Sequence, residues 1–420
     1  MTALTIAVVS DPHFFVRDEQ KRAAYSHLPI DADGQLDAAV RGANKNPLDD
    51  LQELISDQGL KADALICAGD ITTYANPTAL TAGWKFLAEM ANQLGASLFG
   101  AATGNHDVDS RSKQDLLNKN MVREAAHLQG LVEQLKLLEP TYPAIWLGGG
   151  TPEQHRLFKS SYFGESFLLL EHDPAYRLML FNSCSEHGHD SIEYERGTTP
   201  KSSLELVKKT LSGTSGPRIN VMVVHHPLIP QSADGDLYSY QAGGDQLLQA
   251  LEDIHDDWLV INGHKHMGEL KIGPSTSGVG MTLFSAASFS GTSGAGSEAA
   301  ANQFYLIDLD RSAEGALQGR FRTWNWNLGM KWRRAAQTSK AGIYDGCGFG
   351  SGLTPSQIAD TIHAGYSKGL KRWSDICADA PKLHYVMPQA MRAARAILRT
   401  RHGLAIDDNA GFFDVVSKVP

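Results

Sequence analysis

Short apolar runs that end in polar or glycine residues recur through the first three-quarters of the chain, separated by segments with helical spacing. Apolar runs of about four to eight residues are typical of buried strands. They predict strands at residues 5–10, 64–68, 97–101, 178–182, 219–224, 259–262, 281–285, 303–308 and 320–326. Helical spacing predicts helices at residues 47–58, 79–94, 113–138, 202–211 and 244–254. This alternation is typical of an α/β domain.

Three stretches break the alternation and are interpreted as long inserted segments: residues 14–46, the region around 142–160, and the Gly/Ser-rich run at 291–297. Long loops in such folds lie above the active site or at an edge of the surface, and the sequence leaves both positions open. The Gly/Ser-rich run does not join a strand to a helix as phosphate-binding loops do, so we interpret it as a flexible loop.

The pattern changes in the last quarter of the chain, where a Gly-rich connector at 346–352 leads into a region that we predict to be mainly helical. The Thr-Pro-Ser-Gln motif at 354–357 has the signature of a helix start, with a capping threonine and a glutamine three residues later. A second helix is predicted at 388–401. We therefore divide the chain into a domain at 1–330 and a helical extension at 331–420.

The composition is that of an ordinary globular protein: 420 residues, 42% hydrophobic, with a net charge of -9 and a pI near 6.0. An acidic chain is unlike proteins whose surface is devoted to nucleic acid. The predicted C-terminal helices are nevertheless locally basic. We interpret this basic set as a solvated face, with an anion-binding surface or a homo-oligomer contact as the open alternatives. Its members are Lys368, Lys371, Arg372, Arg392, Arg395, Arg399 and Arg401.

Cysteine usage and the N-terminal residues bear on the compartment. The four cysteines are widely scattered and form no Cys-x-x-Cys pair, which is typical of free thiols in a reducing environment. The first residues have no basic segment followed by a cleavage site, and no run of about 18 apolar residues occurs. We expect a cytoplasmic protein that does not associate with membranes.

Five polar motifs follow the predicted strands in chain order. All but one begin at a strand end, and the third follows its strand after a short loop. Because loops at strand ends carry polar groups while the strands hold them rigidly, we expect these motifs to converge. They are Asp11-Pro12-His13, Gly69-Asp70, Gly104-Asn105-His106-Asp107, His225-His226-Pro227 and Gly263-His264-Lys265-His266.

The residue types in these motifs indicate a metal centre. Imidazole and carboxylate together suit Mn, Fe, Zn or Ni, whereas calcium prefers oxygen ligands and structural zinc favours thiolates. Seven ligands are too many for one such ion, but two divalent ions that share one carboxylate would use them all. Asp70, alone in the middle of the set, is the natural bridge. The set is Asp11, His13, Asp70, Asn105, His225, His264 and His266.

The chain resembles the calcineurin-like metallophosphoesterase superfamily over about residues 5–330, on the pattern Asp-x-His, Gly-Asp, Gly-Asn-His-Asp/Glu, His and Gly-His-x-His. The resemblance implies two packed mixed β-sheets flanked by helices, with the site at the sheet edges. It also implies how the ligands divide, with Asp70 bridging. One ion would be held by Asp11, His13 and His266, and the other by Asn105, His225 and His264.

Two positions next to these ligands need separate interpretation. His225 and His226 point to opposite sides of an extended backbone, and we follow the family in choosing His225. By the resemblance, His106 protonates the leaving oxygen or stabilises the phosphate. Asp107 is interpreted either as orienting His106 or as a turn residue, and the sequence leaves both open.

The resemblance also bears on the reaction. Two ions lower the pKa of a bridging water, so that a hydroxide can attack the phosphorus without a covalent enzyme intermediate. The second motif continues as Ile71-Thr72-Thr73-Tyr74. It departs from the Gly-Asp-x-Val-Asp-Arg-Gly of protein phosphatases, and Thr73 stands where purple acid phosphatases have a metal-binding tyrosine. Both departures argue against those subfamilies.

The motifs are most similar to class III cyclic-nucleotide phosphodiesterases and glycerophosphodiesterases, which also carry Gly-Asn-His-Asp and His-His-Pro. That group also has a strand that ends in a small polar segment followed by a glycine, and residues 182–184 and Gly197 are similar to it. A small-molecule phosphodiester, such as a cyclic nucleotide, is the expected substrate. A nuclease of the same superfamily, with nucleic acid bound to the basic helices, and a non-catalytic metal-binding scaffold are the alternatives.

Other chemistry-bearing side chains receive plainer interpretations. We expect His187 and His189 to be solvated loop histidines rather than substrate ligands. Trp324 and Trp326 alternate with asparagines, which predicts one buried face of a strand rather than a base-stacking platform.

Overall fold

The structure, a computed structural model, is described for most of the chain, and two mixed β-sheets dominate it. The described residues are 4–17, 26–108, 134–171, 175–187, 195–213, 218–231, 240–275, 277–278, 280–292, 301–337 and 342–419.

The first sheet has its parallel strands at the centre. Its strands are β1 (Leu4–Val9), β4 (Ala64–Cys67), β5 (Leu98–Ala101), β6 (Ala144–Trp146), β13 (Asn302–Arg311), β14 (Leu317–Asn327), β15 (Met330–Arg334) and β16 (Gly348–Phe349). The order is β15-β14-β13-β1-β4-β5-β6, with β16 paired to β14. β1, β4 and β5 are parallel, whereas β13 and β6 flank them in antiparallel pairing. A short pair, β2 (Phe15–Val16) and β3 (Pro29–Ile30), lies apart from this sheet.

The second sheet repeats this plan. Its strands are β7 (Phe167–Leu170), β8 (Tyr176–Phe181), β9 (Ile219–Val224), β10 (Trp258–Asn262), β11 (Glu269–Ile272) and β12 (Met281–Ser285). The order is β11-β12-β10-β9-β8-β7, and β8, β9, β10 and β12 are parallel. In each sheet, therefore, the carboxyl ends of the parallel strands lie at one edge.

Strand alternation places the main core between the two sheets. Leu178 and Leu180 of β8 belong to the cluster shared with the first sheet, whereas Met179 and Phe181 face the helices on the outside. The sheets approach closely at Gly100, where a Cβ atom would lie 3.1 Å from a methyl carbon of Leu180. Glycine at this position therefore permits the contact.

Helices cover the outer faces of both sheets and form most of the C-terminal region. They are α1 (Pro47–Gln58), α2 (Pro77–Gln93), α3 (Pro152–Glu165), α4 (Lys201–Ser212), α5 (Gly244–Glu252), α6 (Pro355–Ser367), α7 (Trp373–Asp379) and α8 (Pro388–His402). The start of α1 shows why its sequence is helical. Asn46 accepts a hydrogen bond from the Asp49 amide, and proline occupies the first turn, where no amide hydrogen is needed.

The C-terminal region has a hydrophobic core of its own, built from α6, α7, α8 and an antiparallel hairpin of β17 (Leu404–Asn409) and β18 (Phe412–Lys418). The hairpin is absent from the mainly helical prediction, and the predicted capping box at the start of α6 is present. The region contacts the second sheet where Gln389 Nε2 donates to the Leu270 carbonyl over 2.7 Å.

The two-sheet α/β architecture with a helical C-terminal region agrees with the sequence prediction. The segment predicted as an insertion around 142–160 instead contains β6 and most of α3. Most of the helix predicted at 113–138 lies outside the described residues. Trp324 and Trp326 are fully buried, which confirms their interpretation. Within the described ranges, no helix has the length and apolar character needed to cross a membrane.

Candidate metal centre

The five polar motifs lie where the carboxyl ends of strands from both sheets meet. β1, β4 and β5 lead into the motifs at Asp11, Asp70 and Asn105, and β9 and β10 lead into those at His225 and His264. The parallel arrangement of these strands brings their ends to a common edge of the sandwich. The structure thus brings together all seven residues of the predicted ligand set.

The backbone at this edge is held in an unusual conformation. Five members of the ligand set have positive φ angles between 49° and 77°, in the left-handed region that non-glycine residues rarely adopt. They are Asp11, His13, Asp70, His264 and His266. Residues in such conformations cluster at functional sites and persist only where the surroundings hold them in place. Here the Asp11 amide donates to the Gly69 carbonyl over 3.1 Å, and the His13 amide donates to the Asp70 carbonyl over 3.0 Å.

One group of ligating side chains consists of Asp11, His13 and His266, whose ligand atoms all lie within 4.8 Å of one another. The Nε2 atoms of His13 and His266 are 3.0 Å apart, and His266 Nε2 is 3.4 Å from Asp11 Oδ1. Two imidazole nitrogens and a carboxylate oxygen thus converge on a small, mostly buried volume.

A second group forms around Asn105, whose Oδ1 lies 3.0 Å from His225 Nε2 and 3.2 Å from His264 Nδ1. Asp70 lies between the two groups. Its Oδ2 is 3.6 Å from His13 Nε2 in the first group and 3.4 Å from His225 Nε2 in the second. Asp70 is therefore placed to serve both groups.

Charge and burial oppose each other in this cluster. Burial alone would raise the pKa of Asp70, but the neighbouring imidazoles of His225 and His106 hold it well below its usual range. For His225, burial favours the neutral ring, yet the Asp70 carboxylate outweighs it and raises the pKa to about 9. Burial dominates at His13 and lowers its pKa to about 3. The cluster therefore stabilises carboxylates and, at His13, a neutral imidazole, the states in which these groups bind metals.

The donor set fits two metal ions. Two histidine nitrogens facing each other at 3.0 Å leave at most one of them as a donor, whereas a cation between the rings would be bound by both. On the second side, the buried Nε2 of His264 has no hydrogen-bond partner among the described residues. Imidazole, amide and carboxylate ligands of this kind suit divalent transition metals.

The adjacent histidines point to different surroundings. The His225 ring faces Asn105 and Asp70, and its Nδ1 lies 2.8 Å from the Ala68 carbonyl. The ring of His226 instead has its Nδ1 2.8 Å from Ser183 Oγ. Ligand atoms of His225, His226 and His264 nevertheless all lie within 4.8 Å of one another. The choice of His225 over His226 therefore stays a prediction that rests on strand alternation.

His106 and Asp107 occupy different environments within one turn. The His106 amide donates to Asp70 Oδ1 over 2.8 Å, and its half-buried ring lies edge-on to His13, with centroids 5.0 Å apart. Both oxygens of Asp107 accept backbone amides, from Thr72 over 3.0 Å and from Gly104 over 2.9 Å. Of the two interpretations of Asp107, these bonds favour the turn residue rather than a group that orients the His106 ring.

Several supporting residues escaped the sequence analysis. Ser288 Oγ donates to the Asp11 carbonyl over 2.7 Å, and Ser290 Oγ donates to the Pro12 carbonyl. Both serines are buried and immediately precede the predicted flexible loop, whose residues 293–297 lie outside the described chain. They fix the backbone of the first motif. The signal that could have identified them is the Ser-Phe-Ser segment at 288–290, which follows β12 after two alanines.

Two exposed side chains at the rim were also missed. Glu195 Oε2 lies 3.8 Å from His264 Nε2, and the Tyr74 ring lies 5.7 Å from that of His106. No role was predicted for either from the sequence, although Tyr74 ends the segment that continues the second motif. Both are positioned to contact a molecule bound at the centre.

The prediction for His187 is wrong. Its side chain is buried rather than solvated, and its ring centroid lies 5.3 Å from that of His226, with Cys184 nearby. Cys184 Sγ is directed at the Thr103 carbonyl, 3.3 Å away. His189 lies outside the described residues.

Comparison with known proteins identifies a family for most of the chain. Residues 4–268 match the calcineurin-like phosphoesterase family. No match was found among curated protein sequences. Among solved structures, the chain is similar to a dimetal phosphatase from Danio rerio, with 11% identity, 79% of this chain and 98% of that chain covered, and a TM-score of 0.47. It is also similar to a purple acid phosphatase from yellow lupin, with 12% identity, 76% and 51% covered, and a TM-score of 0.42.

Proposed function

The chain belongs to the calcineurin-like phosphoesterase family, and on that premise we propose that it is a metal-dependent phosphodiesterase acting on a small-molecule diester such as a cyclic nucleotide. The observation that carries the proposal is the placement of Asp70 between two groups of ligating side chains, with the His106 amide bonded to the same carboxylate.

In this proposal Asp70 would serve both of two divalent ions, and the remaining ligands would divide between the ions as the two groups of side chains do. Metal ions held by these residues would supply a nucleophilic hydroxide and neutralise charge on the phosphoryl group. The ions could be Mn, Fe, Zn or Ni, since all four accept this mixture of ligands. One ion is assigned to Asp11, His13 and His266, and the other to Asn105, His225 and His264.

His106 is assigned the proton transfer. Its ring lies beside His13 and belongs to neither group of ligands. His106 Nδ1 lies 3.5 Å from the Tyr74 amide, so the proposal assigns the proton transfer to Nε2. In the imidazolium form it would give a proton to the oxygen that leaves phosphorus. Such general acid catalysis contributes about 10²- to 10⁴-fold, and it matters most for alkoxide leaving groups.

The preference for a diester of a small molecule is supported by the motifs. Gly-Asn-His-Asp and His-His-Pro resemble those of cyclic-nucleotide and glycerophosphate diesterases, whereas the segment after Asp70 lacks the protein phosphatase pattern. Thr73, buried with its hydroxyl near the His13 ring, also differs from the tyrosine expected of a purple acid phosphatase.

The test is a panel assay on protein loaded separately with each metal. Cyclic nucleotides, glycerophosphodiesters and bis(p-nitrophenyl) phosphate are compared with the monoester p-nitrophenyl phosphate. We expect a higher kcat/KM for at least one diester than for the monoester, and no activity in Asp70→Ala. Folded, metal-loaded protein that hydrolyses only monoesters, or nothing, would refute the proposal.

A further inference from the structure

We infer that Tyr142 and Tyr162 are positioning residues, which fix the loop carrying Asn105 and His106 through hydrogen bonds to Thr103. The roles of Asn105 and His106 rest on the proposed function. The contacts of the tyrosines with Thr103 are seen in the structure and do not depend on it. Tyr142 stands at the start of the region around 142–160 that was interpreted as an inserted segment, and Tyr162 lies on α3 just beyond that region.

Thr103 is bound by buried side chains at each of its polar groups. Its amide donates to the Tyr162 hydroxyl over 2.8 Å. Its own hydroxyl lies 2.8 Å from that of Tyr142 and 2.9 Å from that of Tyr162. Its carbonyl faces Cys184 Sγ at 3.3 Å. Thr103 and both tyrosines have no exposed surface, so water cannot replace these bonds without a rearrangement of the core.

The two tyrosines are themselves firmly held. The Tyr142 ring packs 5.0 Å from that of Trp84 on α2 and 5.9 Å from that of Tyr162 on α3. Burial raises the pKa of both hydroxyls well above the usual value, so both remain protonated donors. The two tyrosines are therefore a fixed support that links α2 and α3 to the end of β5.

A shift at Thr103 would be passed directly to the functional side chains. The next residue, Gly104, packs so tightly against Asp70 that a Cβ atom there would lie 2.1 Å from Asp70 Oδ1. Asn105 and His106 follow immediately, and the His106 amide bonds the same Asp70 carboxylate. Errors in position of about 1 Å at a reacting centre can cost about a hundredfold in rate, so support at this point is valuable.

The test compares Tyr162→Phe, which loses bonds to two atoms of Thr103, with Tyr142→Phe, which loses one. In Tyr162→Phe we expect the affinity for the weaker of two Mn ions to fall about five- to tenfold, as for the loss of a buried hydrogen bond. Calorimetric Mn titration measures this without any substrate. Tyr142→Phe should show a smaller decrease.

Kinetics at saturating Mn provide a second readout. If His106 is displaced, kcat of Tyr162→Phe should fall more for diesters with alkoxide leaving groups than for those with p-nitrophenolate. Thr103→Ser, which keeps the hydroxyl, should behave like the wild type, whereas Thr103→Val should behave like Tyr162→Phe. Tyr344→Phe, at a buried tyrosine near the C-terminal region, is the matched control.

Two outcomes are kept separate by this design. If Tyr162→Phe melts at a lower temperature but binds Mn and discriminates leaving groups like the wild type, the tyrosines are only structural and the inference is wrong. If the wild type hydrolyses no diester, the proposed function fails, and the Mn titration alone decides whether the tyrosines position Asn105.

Discussion

The edge that carries the metal-ligating side chains and the C-terminal region are stabilised in opposite ways. At the edge, buried Asp11, Asp70 and His225 form a charged network, and the backbone of Asp11 and Asp70 is left-handed. The C-terminal region buries apolar side chains such as Ile362 and Leu398 and keeps its charges exposed. Buried charges stabilise a fold only when they are fully paired, whereas apolar burial stabilises it without a partner. From this comparison we expect bound cations to stabilise the edge and to leave the stability of the C-terminal region unchanged.

The largest effect is expected from Asp70→Ala. Removing the shared carboxylate should abolish tight binding of both ions, and activity should fall by more than the roughly 10- to 100-fold typical of an outer-shell residue. Elemental analysis after gel filtration measures the metal content. Asp360→Ala, an exposed carboxylate on α6, should retain both ions. Two ions retained in Asp70→Ala would show that Asp70 is not the carboxylate that they share.

His106→Asn should separate catalysis from metal binding. We expect unchanged metal content and a decrease in kcat of about 10²- to 10⁴-fold, because the proton donor is lost while the ligands remain. His402→Asn, a histidine of α8 in the C-terminal region, should leave kcat unchanged. A loss of metal in His106→Asn would instead assign this ring to the ligand set.

Metal-free protein should lose stability as the pH rises from 7.5 to 9.5. The pKa of His225 is raised from 6.5 to about 9 in the folded protein. Its contribution to the free energy of unfolding is therefore complete below pH 6.5 and is lost as the pH rises through about 9. The unfolding free energy should decrease by roughly 2 kcal/mol over this range, as measured by urea denaturation with a chelator present. In His225→Asn the decrease should be smaller. An equal decrease in both proteins would mean that His225 is not the responsible group.

The smallest effect on the site is expected from Leu398→Ala in the C-terminal core. The substitution should lower the free energy of unfolding of that region by about 2–5 kcal/mol, because it opens a cavity among buried side chains. Metal affinity, measured by Mn titration, should not change. A weaker affinity would show that the two regions are energetically coupled, for which the bond from Gln389 to Leu270 is the obvious route.

The sequence predicted the central strands because those strands are buried on both faces and read as continuous apolar runs. It missed α3 because only Tyr162 of that helix is buried, so no apolar periodicity marks it. Thr151 and Gln154 nevertheless form the same capping box that correctly predicted the start of α6. The hairpin of β17 and β18 was missed because its exposed strands carry little apolar alternation outside a few positions.

The candidate ligands were predicted from the sequence because each lies at a strand end in a short motif. The geometry brings the seven residues together. Metal binding by them stays a prediction. The supports could not be predicted, because Tyr162 and Thr103, like Ser288 and Asp11, lie far apart in the chain and meet only through packing. The burial of His187 could not be predicted for the same reason, since burial of a loop histidine depends on tertiary contacts.

The division of the ligands has a consequence for the order of folding events. Each group of ligating side chains takes residues from both sheets, with Asp11 and His13 meeting His266, and Asn105 meeting His225. Neither group can exist before the two sheets have joined, which requires contacts across most of the chain. If the sheets join after the rate-limiting step, metal ions should leave the refolding rate unchanged and slow unfolding. Bound metal would then slow the unfolding of the folded protein and would not nucleate its folding.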